Sequence, residues 1–224
     1  MDKMNFKGTI RSIQPRIRLM RSFDESSHSY LGYVIALSGW LMTETETHAP
    51  DNSGLEPAES AILFSIAIGP AAQAKHQFRA GDQISGTCVP VVDAQLETAD
   101  YNKVSRLKKI AAAPDSVQQP PPWLTLLPDL ETYRQRGPRR LSSITYKNKC
   151  NTCIWGCQMP VEIIIDHWNP GPRHYRFETF CYGPLSCRLY KAGPNRKVEG
   201  RHGMVYIEED WVDQELTGHR ETDE

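Results

Sequence analysis

Hydrophobic and polar positions alternate through the first part of the chain. Over residues 6–21, Ile13, Ile17 and Leu19 fall on one side and Arg16 and Arg18 on the other, the two-residue period of a strand. Residues 30–40 predict a second strand, in which Gly32 and Gly39 permit tight bending. A polar loop over 43–59 precedes a third strand at 61–68, ended by Gly69-Pro70. Residues 78–88 place a Gly81-Asp82 turn ahead of a strand that can curl at Gly86. Residues 101–111 suit either a last strand or a short helix. Pro114, Pro120, Pro121 and Pro122 then interrupt regular structure, while Trp123-Leu124 and Leu126-Leu127 give this connector apolar groups to dock. A helical turn fits 129–136. Two further β-prone runs, 161–168 and 174–180, flank Asn169-Pro170-Gly171-Pro172 and predict an antiparallel hairpin.

Several short strands, a Gly-Asp turn and a glycine kink resemble an OB-fold across roughly residues 5–110. The expected architecture is mainly β: an OB-like barrel (1–112), a Pro-rich basic connector (113–140), a metal-stapled, zinc-ribbon-like hairpin module (141–205) and an acidic tail (206–224).

Five of the six cysteines suggest what staples the module. Cys150, Cys153 and Cys157 precede the hairpin, and Cys181 and Cys187 follow it. A hairpin brings its outer ends together, so the two groups can converge on one ion, for which clustered thiolates are suited. Four sulfurs complete a tetrahedral Zn²⁺, so one cysteine is spare: Cys157 is either a buried small side chain or a ligand in place of Cys153. An iron–sulfur cluster is the alternative cofactor. The phrases Cys-x2-Cys-Ile-Trp at 150–155 and Phe-Cys-Tyr-Gly-Pro-x-Ser-Cys at 180–187 resemble those of an uncharacterised prokaryotic protein family. That resemblance implies Cys150, Cys153, Cys181 and Cys187 as the ligands, and it brings no activity.

Charge adds a partner. The net charge of −1 conceals segregation: residues 1–100 carry 8 Lys/Arg against 12 Asp/Glu, residues 101–202 carry 17 against 7, and residues 203–224 carry 1 against 8. A basic middle can concentrate a polyanion, unless the basic and acidic parts pair with each other. The expected partner is nucleic acid, single-stranded by preference, held by Arg134, Arg136, Arg139, Arg140, Lys147, Lys149, Arg188, Lys191, Arg196 and Lys197. Tyr133 and Tyr146 stand at the edges of this stretch as candidate stacking groups. On the barrel, Arg16, Arg18, Arg21, Tyr30, Tyr33 and Phe64 are candidate face residues.

No Ser-His-Asp order, phosphate-cradling loop or His-Glu-x-x-His pair is present, so no catalytic residue is assigned. A scaffold that binds another protein is the second functional expectation, and an iron–sulfur redox protein the third. No run reaches the roughly eighteen apolar residues of a membrane helix. The first residues lack a signal-peptide core, which makes the cytoplasm the expected location.

Overall fold

Strand β1 (Met4–Ser22) organises the molecule because it changes neighbours along its length. Its first part lies between β2 (Ser26–Thr43) and β4 (Gln83–Pro90), antiparallel to both, and Leu19–Ser22 then pairs in parallel with β7 (Gly156–Ile164). The buried positions of β1 are even-numbered through Phe6, Gly8 and Ile10, then odd-numbered through Ile13, Pro15, Ile17 and Leu19. The change falls at Arg11, an extra residue between the pairs Ile10↔Leu37 and Ser12↔Ala36. A one-residue bulge turns a strand's apolar set onto the other face, which is why alternation is interrupted there without loss of the core.

The computed structural model describes residues 3–43, 61–114, 122–124, 126–169, 171 and 173–220. Most of the expected polar loop at 43–59, Pro120 and Pro121 of the connector, and Pro170 and Pro172 of the hairpin turn lie outside them.

From β1 the sheet runs through β2 to β3 (Ile62–Ile68), then to β5 (Tyr101–Ala111), β4 and back to β1, partly closing a ring. The β3–β5 contact is parallel, at Ile66↔Tyr101. Ser65 pins it: its N–H and hydroxyl both donate to Asp100 at 2.7 Å, and its Oγ accepts from the Asp100 N–H at 3.0 Å. The helix α1 (Pro70–His76) leads from β3 towards β4. Gly81-Asp82 starts β4 as the turn chemistry predicts. The buried Asp82 carboxylate accepts from the Arg79 and Ala113 N–H groups at 3.0 and 2.8 Å and pairs with Lys109 at 2.7 Å. At Gly32, φ is +136°, and a Cβ would sit 2.1 Å from the Ile68 carbonyl oxygen, so the β2 bend there requires glycine.

The other flank of β1 extends through β7 to β8 (His174–Cys181), with β6 (Arg139–Arg140) at the edge. The expected hairpin is therefore present. It does not stand apart as a zinc-ribbon module, because it shares both sheet and core with the ring. One buried cluster joins Phe6, Ile10, Ile35 and Phe64 to Cys157, Met159, Val161 and Phe180. A parallel pairing between segments some 140 residues apart leaves no local pattern in the sequence.

The segments expected as a connector and an acidic tail contribute to the body. The helix α2 (Leu130–Arg136) is capped by Asp129, which accepts from the Thr132 N–H at 2.7 Å, and it buries Tyr133 completely. The acidic segment forms β10 (Val205–Glu208), paired with β9 (Arg196–Glu199), and then α4 (Asp210–Thr217). Glu208 and Asp213 are buried, so this stretch is part of the body through residue 220 rather than a solvated tail. The basic and acidic parts of the chain pair with each other here. Among the described residues, no helix is long and apolar enough to cross a membrane.

Candidate metal centre

Cys150, Cys153, Cys181 and Cys187 line one cavity of about 10 Å³, room for about one water-sized sphere. Two loops deliver them. The helix α3 (Ser143–Thr145) runs into a π-turn over Tyr146–Cys150, and the Cys153 N–H donates to the Cys150 carbonyl at 3.1 Å. The second loop begins where β8 ends, with Cys181 beside Gly156 in the β7–β8 register. Its chain then bends at Gly183-Pro184, and the Cys187 N–H returns to the Pro184 carbonyl at 3.2 Å. All six cysteines are free thiols. Among the described residues, no three His, Cys, Asp or Glu side chains stand at metal-holding geometry; what is shared is the cavity wall.

The surroundings fit a negative charge on these sulfurs. The Gly183 N–H points at Cys181 Sγ from 3.4 Å, and Arg139 Nη2 lies 3.9 Å from the same sulfur. Among the described residues, the indole N–H of Trp123, which lines the cavity, and Arg139 Nε are buried donors without partners. As free thiols the group is poorly placed to ionise. Burial, and then the neighbouring Cys181, Cys153 and Cys187, push Cys150 up to about 12. Burial pushes Cys153 up to about 11 against the N–H groups of Trp155 and Trp123, and it also raises Cys181 despite Arg139. A buried divalent cation would reverse that balance, because deprotonated thiolates are its ligands and N–H donors stabilise their charge.

Cys157 has a different place. It faces the common core, fully buried, and its thiol donates to the Pro15 carbonyl at 3.3 Å. It does not line the cavity, so the spare cysteine is a core residue.

Gln14, a residue with no motif around it, holds the first cysteine loop onto β1. Its Nε2 donates to the carbonyls of Cys150 and Cys153 at 2.9 and 2.8 Å, and its Oε1 accepts from the Tyr146 hydroxyl at 2.7 Å. Gly156 permits this approach: a Cβ there would lie 2.4 Å from the Cys150 carbonyl oxygen and 2.8 Å from Gln14 Nε2. Replacing Gln14 with alanine strips three polar groups of their partner and is expected to destabilise the protein by about 2 kcal/mol. Gln14→Glu, which sets a carboxylate against two carbonyls, should cost more. Urea unfolding midpoints read both, and an unchanged midpoint for Gln14→Ala would remove this anchoring role.

The ten expected anion-binding cations divide by placement. Lys147, Lys149, Arg188, Lys191 and Lys197 are exposed. Arg134 is exposed as well, paired with Glu131 and lying over the Tyr30 ring at 4.9 Å. Arg136 is partly covered, donating to the Tyr182 carbonyl at 2.6 Å above the Trp155 ring. Arg139, Arg140 and Arg196 are buried. Arg139 stacks over Tyr190 and donates to the Pro184 carbonyl at 2.9 Å, and Arg196 pairs with Glu178 at 2.9 Å. Arg140 is wholly enclosed by groups from three later segments. These three hold the interior together and present nothing to phosphate.

The candidate aromatics and barrel-face arginines are occupied likewise. Tyr133 donates its hydroxyl to the Ile154 carbonyl at 2.7 Å, and Tyr146 donates to Gln14. Arg16 pairs with Glu97, Arg18 donates to the Leu96 carbonyl at 3.1 Å, and Arg21 pairs with Glu208 and Glu178. Tyr33 and Phe64 are core residues, and Tyr30 packs against that core. Compared with known protein families, with curated proteins and with solved structures, the chain matches none.

Proposed function

We propose that this is a nucleic-acid-binding protein in which an OB-like ring carries a structural zinc site. The observation that carries the reading is that four cysteines from two loops line one small cavity while the same loops present cations that are unpaired among the described residues. Lys149 lines the cavity itself, and Lys147, Arg188 and Lys191 stand within four residues of a cysteine. A divalent ion there would fasten the two loops together and so fix the spacing of the cations. The OB-like assignment is supported by the strand order, in which β5 enters the ring between β3 and β4, and by the helix between β3 and β4. Cys150, Cys153, Cys181 and Cys187 are the ligands in this reading. Zinc supplies no reaction; it closes a loop pair.

Fluorescence anisotropy of a labelled oligothymidylate tests it. Replacing Lys147, Lys149, Arg188 and Lys191 with alanine should weaken binding at least tenfold near 0.1 M salt and flatten the dependence of log K on log[salt] by about 3. Wild-type protein without salt-dependent affinity for single-stranded DNA or RNA would sink the proposal and leave a protein-binding scaffold as the better reading.

A further inference from the structure

A second, separate group of cations lies on the ring. Strand β5 carries Lys103, Arg106, Lys108 and Lys109 and no acidic residue. Its register against β4 is uneven. Val89, Thr87 and Ser85 advance two residues at a time, while their partners Asn102, Ser105 and Lys108 advance three. Each step therefore contains one extra residue on β5, a bulge. Two of the residues in these steps, Lys103 and Arg106, have φ of 49° and 53°, a left-handed conformation that long side chains rarely adopt. One bulge per step makes residues three apart equivalent, so Lys103 and Arg106 occupy corresponding positions, where a regular strand would send them to opposite faces.

Both line a groove of about 740 Å³ between β5 and α1, together with Lys75, Asn102 and Ser105. Lys75, Lys103 and Arg106 are exposed, and among the described residues none of their side chains has an ion pair or hydrogen bond. By contrast, Lys109 is held inward by Asp82 and the Phe78 ring. Among the described residues β5 meets β3 only at Ile66↔Tyr101, which leaves the edge of β5 beyond Tyr101 facing this groove without a ladder partner. Backbone N–H groups and free cations on one edge are the groups that take phosphate oxygens.

We infer that the bulged strand β5 and Lys75 of α1 form a phosphate-binding groove that holds the backbone of a nucleic acid crossing the ring. The inference rests on the nucleic-acid reading above, but it uses no residue of the cysteine loops. The groove makes positioning contacts, sequence-independent and salt-sensitive, and the backbone strain at Lys103 and Arg106 is retained because it turns both cations to one side.

The test uses the full chain and the labelled oligothymidylate. Lys75→Ala with Lys103→Asn and Arg106→Asn removes three charges, asparagine being chosen because it tolerates the left-handed conformation. Binding should weaken about tenfold near 0.1 M salt, and the slope of log K against log[salt] should fall by about 2. The charge-retaining pair Lys103→Arg and Arg106→Lys should bind like wild type. Far-UV circular dichroism and melting temperature check that each variant is folded. If the triple variant matches wild type while the cysteine-loop variant is weakened, the groove is overturned and the functional reading stands. If the charge-retaining pair loses as much as the triple variant, the effect is structural and the groove is overturned too. Wild-type protein without salt-dependent binding overturns both.

Discussion

Replacing Arg140 with methionine is expected to destabilise the protein by about 3–5 kcal/mol at neutral pH, the cost of leaving a buried charge without its partner. Arg140 is 0 % exposed. Its Nε donates to Asp213 at 3.1 Å, its Nη1 to Asn195 at 3.1 Å and to the Glu208 carbonyl at 2.8 Å, and its Nη2 to Asp210 at 2.5 Å. One side chain thus ties the edge strand β6 to the approach to β9, to β10 and to α4. The Asp210 pairing contributes little, because that carboxylate is 75 % exposed and solvent screens it. Asp213 is the partner that matters. Burial raises its carboxyl above the usual range, against the opposing effect of Arg140. Without the guanidinium that rise grows, so the folded state of Arg140→Met takes up a proton at higher pH than the unfolded chain does. The deficit against wild type should therefore be largest at neutral pH and shrink as pH falls through the raised value. Pairing Arg140→Met with Asp213→Leu removes both charges and should recover most of the loss. Thermal melts read the series, with the single variant lower by roughly 10 °C. A single variant that melts within a degree or two of wild type would show that the network does not hold α4 in place.

Arg140 and its neighbour Arg139 show how far the sequence could be read. Arg139-Arg140 looks like a phosphate clamp, yet strand geometry sends neighbouring residues to opposite sides. In β6 that alternation aims Arg139 at Cys181, its cross-strand partner, and Arg140 at Asp213. The acid that neutralises Arg140 is 73 positions away, beyond any local pattern. Other features were visible because short-range chemistry sets them: the Gly81-Asp82 turn, the β7–β8 hairpin, the helical turn over 129–136 and the approach of cysteines from both ends of the hairpin to one cavity. The integration of the hairpin with the ring was hidden, since it depends on β7 pairing in parallel with the far end of β1. So was Gln14, an isolated polar residue whose role exists only once Cys150 and Cys153 lie against β1. Cys157 fell between the two cases: spacing left its place open, and only the packing of β7 puts its side chain in the core.

Serine at Cys150, Cys153, Cys181 or Cys187 is expected to abolish zinc binding, whereas alanine at Cys157 should leave about one zinc per chain. The contrast follows from placement: four thiols share a cavity beside buried N–H and guanidinium donors, and the fifth faces the core and donates to the Pro15 carbonyl. Cys157→Ala should cost stability through a small cavity, about 1–2 kcal/mol, without touching metal content. Losing the ion should cost more. A metal present at about a thousandfold above its Kd stabilises the folded state by about 4 kcal/mol. That corresponds to a melting temperature lower by roughly 10 °C after exhaustive chelation. The common core that holds Phe6, Ile10, Ile35 and Phe64 is a different cluster from the one that holds Cys150, Cys153 and Cys181, so the chelated protein should keep its β-sheet signal while the cysteine loops loosen. Nucleic-acid affinity should fall with the metal, since Lys147, Lys149, Arg188 and Lys191 lose their fixed spacing. Elemental analysis and absorption of anaerobically purified protein decide the metal's identity. Colourless protein with zinc agrees with the structural role, and a brown protein with iron, sulfide and absorption at about 400 nm would replace it with an iron–sulfur centre. Metal retained by the Cys181→Ser variant but lost on replacing Cys157 would overturn the ligand set itself.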